Sequence, residues 1–86
     1  WGRIVHDPKM LNAIDNLVKR HKSIRKLNKV MLYVAENRLH ININCSFRKE
    51  ISVERLHDII TTIEEELRKK FEEATVTIHA EPEDTS

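Results

Sequence analysis

Residues 39–45 alternate strictly between apolar and polar side chains, and this alternation constrains the fold more than any other feature of the sequence. The apolar positions are Leu39, Ile41, Ile43 and Cys45. Because successive side chains of a strand point to opposite faces, the alternation predicts a strand over about 39–46 with one buried face. A β-rich run at about 29–35 precedes it, and residues 36–38 have the composition of a turn. The two strands are therefore predicted to form a hairpin.

Two apolar stripes at helical spacing flank the predicted hairpin. Asp7 and Pro8 form a helix-start signal, because a carboxylate can cap free N–H groups and proline suits the first turn. They predict a helix over about 8–21. Ser52 is a good N-cap for the second stripe, which predicts a helix over about 53–71.

A second alternating segment lies near the end of the sequence. It predicts a strand over about 75–81, followed by a frayed tail at 82–86. The basic stretch at about 22–29 is predicted to be a connector, and residues 3–6 could supply only a short edge strand. The element order α-β-β-α-β predicts one domain over 1–86, an α+β two-layer sandwich of the ferredoxin-like type.

The composition favours a binding domain over an enzyme. With a single glycine there is no Gly-rich phosphate loop, and with a single cysteine there is no zinc-finger spacing. Cys45 lies on the apolar side of its strand, where a core residue is expected rather than a nucleophile. A chain of this length buries only about 60% of the surface that its unfolded form exposes, so pairing with a second copy is an expected remedy.

Charge is divided unevenly along the chain. Residues 1–49 carry eleven Lys/Arg against three Asp/Glu, a net charge of +8, whereas residues 50–86 carry four against eleven, a net charge of −7. Such a division is typical of an RNA-binding surface, of a surface facing anionic headgroups, or of two halves that attract each other. Because the predicted strands offer only Tyr33 for base stacking, no nucleic-acid partner is expected. The basic cluster comprises Lys19, Arg20, Lys22, Arg25, Lys26 and Lys29.

His79 and Glu81 have the clearest capacity to bind a ligand. Two positions apart on a predicted strand, they project from one face with Cα atoms roughly 7 Å apart. An imidazole and a carboxylate so placed can converge on one divalent cation, although exposed pairs of this kind are more often ordinary surface residues. His57, in the first turns of the second predicted helix, flanks the buried stripe and alone indicates only a helix boundary.

Two motifs together add a resemblance to a known family. Residues 51–60 read ISVERLHDII and residues 74–82 read ATVTIHAEP, so that His57 precedes His79 by 22 residues. The stretch 40–82 resembles the cytosolic C-terminal domain of cation diffusion facilitator transporters. In that family a histidine near the start of the second helix is followed by a last strand that closes on an Ile-His-x-Glu/Asp-Pro motif.

The resemblance implies a metallochaperone-like domain that forms a homodimer at the cytosolic face of a membrane. It implies an N-terminal transmembrane domain of the same protein as a partner, and a divalent cation between the two copies that favours a closed, transport-competent state. By this resemblance the metal ligands are His57, His79 and Glu81, with His57 contributed by the opposite protomer. His40 and Asn44 are additional candidates. The alternatives are a dimerisation scaffold without a ligand and an RNA-binding module of the ferredoxin-like type.

Two positions depart from the family pattern. Zinc-exporting relatives often carry histidines where this chain has Asn28 and Asn44, and an amide oxygen is a poorer zinc ligand than imidazole. A single metal site per chain is therefore expected rather than a binuclear zinc site. Zinc is the first expectation for the cation, and iron, manganese and cobalt are the alternatives.

Overall fold

Residues 2–84 are described by a computed structural model, which contains four strands and two helices within that range. The strands form one sheet in the order β1-β2-β3-β4, in which β3 and β4 are parallel and the other neighbours are antiparallel. The predicted α+β, ferredoxin-like fold class is confirmed. Along the chain the elements are β1 (Arg3–Ile4), α1 (Pro8–Lys19), β2 (Ile24–Ala35), β3 (Arg38–Phe47), α2 (Val53–Lys70) and β4 (Thr75–Pro82).

Both helices begin at the predicted caps. The Asp7 carboxylate accepts hydrogen bonds from the backbone N–H groups of Lys9 and Met10, and the Ser52 hydroxyl accepts one from the backbone of Arg55. The first helix ends at Lys19, two residues before the predicted end. The backbone N–H of His21 donates to Val18 three residues back, at 3.1 Å, which tightens the chain into a turn and ends the helix.

The second strand begins at Ile24, so the prediction of a connector over about 22–29 is wrong. The pairing of β2 with β3 shifts register twice, between Ile24 and Lys26 and again between Leu27 and Lys29. Each shift inserts an extra residue into β2, and this breaks the alternation by which a strand is recognised in a sequence.

The β2–β3 turn consists of Glu36 and Asn37, both with positive φ, at 54° and 60°. Two such residues form the kind of turn whose twist matches that of the flanking strands. Arg38, predicted to be part of the turn, is already the first residue of β3.

The two ends of the described chain lie against the sheet. Arg3 and Ile4 pair with β2 as the short edge strand considered from the sequence. The tail predicted from residue 82 is attached at its start, because Pro82 belongs to β4 and the backbone N–H of Glu83 donates to Phe47 at 2.9 Å. Trp1 and residues 85–86 lie outside the described residues.

The hydrophobic core lies between the helices and one face of the sheet. The central strand β3 supplies its apolar side chains to this core, and α2 contacts the sheet along its length because its apolar residues recur at helical spacing. The opposite face of the sheet carries polar side chains, and within residues 2–84 no helix packs on it. The buried apolar residues are Ile14, Leu17, Val18, Leu32, Ile41, Ile43, Cys45, Phe47, Ile59, Ile63, Leu67, Ala74 and Val76.

Candidate metal centre

The polar face of the sheet carries the candidate ligands of β3 and β4. Asn44 lies opposite His79 in the parallel pairing, and Ser46 lies opposite Glu81. Register partners on neighbouring strands share a face and stand roughly 4.8 Å apart. The pairing therefore places an amide, an imidazole, a hydroxyl and a carboxylate in one group on this face.

A shallow cavity of about 440 Å³ opens on the same face. Asn44, His79 and Glu81 line it, together with Lys29 of β2. His79 and Glu81 are both exposed, and the His79 ring has no hydrogen-bond partner among residues 2–84. An exposed imidazole without a partner keeps a nitrogen lone pair available for a cation.

The Glu81 carboxylate is held at one oxygen. The side-chain nitrogen of Asn28 donates to Glu81 Oε1 at 3.2 Å and to Ser46 Oγ at 2.7 Å. Ser46 is buried, with 7% of its surface exposed, and so gives this group a fixed point on β3. The sequence gives no sign of this contact, because Asn28 falls within the stretch predicted to be a connector.

His40 lies away from this group. Its ring stacks on Tyr33, with ring centroids 4.6 Å apart and planes 4° from parallel. In the register of β3 and β4 it lies opposite Thr75, four residues before His79, which corresponds to roughly 13 Å along the strand. A cation bound by His79 is therefore out of reach of His40 in the same chain.

His57 lies in the helical layer, on the second turn of α2, and is exposed. Its neighbour Leu56 lines a small apolar cavity with Ala80, Glu81 and Pro82, so the start of α2 lies beside the end of β4. His57 thus occurs at the same edge of the molecule as Glu81. Within residues 2–84 no three His, Cys, Asp or Glu side chains converge on a single point.

Cys45 is fully buried in the core, as predicted. Burial raises the pKa of its thiol from 9.0 to about 11, with a smaller contribution from the negative charge of Glu81. A thiol with a raised pKa is a poor nucleophile and a poor metal ligand at neutral pH.

One chain therefore brings together two side chains of a type that can hold a cation, the His79 imidazole and the Glu81 carboxylate, with the Asn44 amide beside them. Imidazole and carboxylate suit zinc and the neighbouring transition metals. Structural zinc sites use four ligands, so this group falls short of a complete zinc site within one chain.

A family model described as the cytoplasmic domain of cation efflux proteins matches residues 6–83. The chain belongs to this family. The resemblance to cation diffusion facilitators is therefore confirmed. Members of the family are domains of cation efflux proteins. No helix within residues 2–84 is long and apolar enough to cross a membrane. No curated protein sequence matches the chain.

Three solved structures with this fold are similar to the cation efflux domain described above. A structure of CzrB has a TM-score of 0.83 at 21% identity, and the match covers 93% of this chain and 100% of the CzrB chain. The metal-bound C-terminal domain of the CzcD transporter from Thermotoga maritima has a TM-score of 0.78 at 20% identity, and the match covers 94% of this chain and 100% of the CzcD chain. The cytosolic domain of a cation diffusion facilitator family protein has a TM-score of 0.78 at 23% identity, and the match covers 86% of this chain and 89% of that domain.

At these identities the likeness establishes the shared fold. CzrB has also been solved in a zinc form, and the CzcD domain in a metal-bound form. These bound metals are properties of CzrB and of the CzcD domain.

Proposed function

We propose that this cation efflux domain is a cytoplasmic dimerisation and metal-sensing module. A divalent cation bound between two copies biases the pair towards a closed, transport-competent state. The observation that carries the proposal is the His79–Glu81 pair, exposed on the polar face of edge strand β4 and bordering a cavity with Asn44. In the cell, the partner of this domain is a transmembrane domain of the same protein, and the domain lies at the cytosolic face of the membrane.

Incomplete coordination within one chain supports a site shared by two copies. His79 and Glu81 leave about half of a tetrahedral shell open. His57 is exposed at the same edge of the molecule but does not converge with them within one chain. In a homodimer, His57 of the second copy supplies the missing imidazole and makes the cation a link between the copies.

The donor set fits zinc first, with iron, manganese and cobalt as alternatives. Two imidazoles and one carboxylate are a common zinc set, whereas the oxygen of Asn44 adds a ligand that harder cations accept more readily. A protonated imidazole cannot coordinate, so the cation binds only the neutral rings.

A shared site couples cation binding to the shape of the dimer. A ligand shifts an equilibrium between open and closed states only by its difference in affinity for the two. Each tenfold preference for the closed state contributes about 1.4 kcal/mol, so a modest site suffices to bias a loosely held pair.

Calorimetric titration of Zn²⁺, Mn²⁺ and Co²⁺ tests the site. We expect the His79→Ala/Glu81→Ala double variant to lose at least about tenfold in affinity relative to the unaltered chain. The matched control is His6→Ala/Glu72→Ala, which removes the same two side-chain types from other exposed positions. Equal affinities for all three proteins would contradict the proposal.

A further inference from the structure

We propose that Asn28 is a positioning residue that holds the Glu81 carboxylate ready for the cation. It acts through Glu81 and does not itself bind the metal. This inference rests on the proposed metal site. It assigns a role to an asparagine that lies outside the pair on β4.

The backbone of β2 presents Asn28 to the polar face of the sheet. Leu27 pairs with Cys45 and Lys29 pairs with Asn44, so Asn28 is the extra residue at the second register shift. Such a bulge redirects a side chain that would otherwise follow the regular alternation. Here it allows two successive residues, Asn28 and Lys29, to contribute to the face that carries Glu81.

Hydrogen-bonding chemistry fixes the orientation of the Asn28 amide. An ionised carboxylate only accepts hydrogen bonds, so the amide nitrogen of Asn28 must face Glu81. The same nitrogen donates its second hydrogen to Ser46 Oγ at 2.7 Å, and Ser46 is buried. Ser46 therefore anchors Asn28, and Asn28 in turn anchors Glu81.

The contact uses one oxygen of the Glu81 carboxylate and leaves the other oxygen open to a cation. Oε1 accepts from Asn28, whereas Oε2 has no partner among residues 2–84 and remains available to a cation. Both hydrogens of the Asn28 nitrogen are used, so this end of the amide is a hydrogen-bond donor to Glu81 and Ser46. A hydrogen bond that orients a ligating carboxylate typically changes metal affinity by about tenfold or more.

A double-mutant cycle on zinc affinity distinguishes positioning from direct ligation. We expect Asn28→Ala to weaken zinc binding about tenfold in the otherwise unaltered chain and to have no further effect in a Glu81→Ala background. The control is Asn12→Ala, at an exposed position of α1, for which we expect no change; like Asn42 on the sheet, Asn12 has no side-chain hydrogen bond among residues 2–84. An equal loss in both backgrounds, or no loss in either, overturns the proposal.

A metal-free measurement separates this inference from the proposed function. NMR relaxation reports how tightly the Asn28 side-chain NH₂ group is held, with that of Asn42 as an internal reference. We expect the Asn28 order parameter to exceed that of Asn42 and to fall in both Glu81→Ala and Ser46→Ala. An Asn28 amide as mobile as that of Asn42 overturns the inference even if zinc binds. A chain that binds no cation contradicts the proposed function, and the Asn28 order parameter then decides whether Asn28 holds Glu81.

Discussion

The thiol of Cys45 is shielded from water by the core between the sheet and the helices. Its pKa is raised to about 11, so the folded chain keeps the proton over a pH range in which the unfolded chain, near 9.0, releases it. Since the unfolded state loses its proton first, the free energy of unfolding should fall as the pH rises above about 9.

We expect urea denaturation between pH 8 and pH 11 to show this loss of stability in the unaltered chain. Cys45→Ala, which has no thiol to ionise, should lose less stability over the same range. A parallel experiment with iodoacetamide at pH 8 should label Cys45 rapidly only in urea. Equal pH dependence of the two proteins, or equally rapid labelling with and without urea, would contradict the burial of this thiol.

Sequence alone could locate the His79–Glu81 pair because β4 alternates regularly, and a period of two assigns both residues to one face. The opposition of Asn44 and His79 required the parallel register of β3 and β4, which alternation does not specify. The contact from Asn28 to Glu81 could not be predicted, because it depends on a bulge that disguises the strand to which Asn28 belongs.

The elements whose ends carry a chemical signal were located best. Asp7 and Ser52 mark the starts of α1 and α2, since their side-chain oxygens accept hydrogen bonds from the first free N–H groups. The start of β2 carries no such signal. Arg25 and Asn28 are the extra residues at the two register shifts of β2, so the segment does not alternate. From the sequence alone it therefore has only the composition of a basic loop.

At the level of the element, Asp7→Ala should destabilise the chain by about 1 kcal/mol, because two backbone N–H groups at the start of α1 lose their acceptor. The matched control is Asp15→Ala, which removes only an exposed ion pair with Lys19 within the same helix, worth about 0.3 kcal/mol. Urea denaturation measures both. Equal losses for the two variants would show that Asp7 does not act as a cap.

Over the whole molecule, the uneven division of charge is partly satisfied within the fold. The His21 ring lies 2.7 Å from Glu66, with Arg20 at 3.9 Å from the same carboxylate, and Arg25 lies 3.9 Å from Glu83. These contacts join the basic first half of the sequence to its acidic second half. The longer pairs are largely exposed, so each contributes only about 0–1 kcal/mol. These contacts give part of the basic cluster acidic partners within the fold, so that part needs no nucleic-acid partner.

A second copy would meet both the small size of the chain and the open ligand set of the proposed metal site. A dimer would bury surface that a chain of 86 residues cannot bury alone. In the proposed function it would also bring His57 of one copy to the His79–Glu81 pair of the other, and the shared cation would determine how closely the two copies approach at the β4 edge.

Small-angle X-ray scattering of the chain, with and without Zn²⁺, tests this claim most directly. We predict a dimer whose radius of gyration decreases when Zn²⁺ is added, and a His79→Ala/Glu81→Ala variant whose scattering does not change. A chain that stays monomeric in both conditions, or a dimer that contracts equally with and without His79 and Glu81, would contradict a cation shared between two copies at this site.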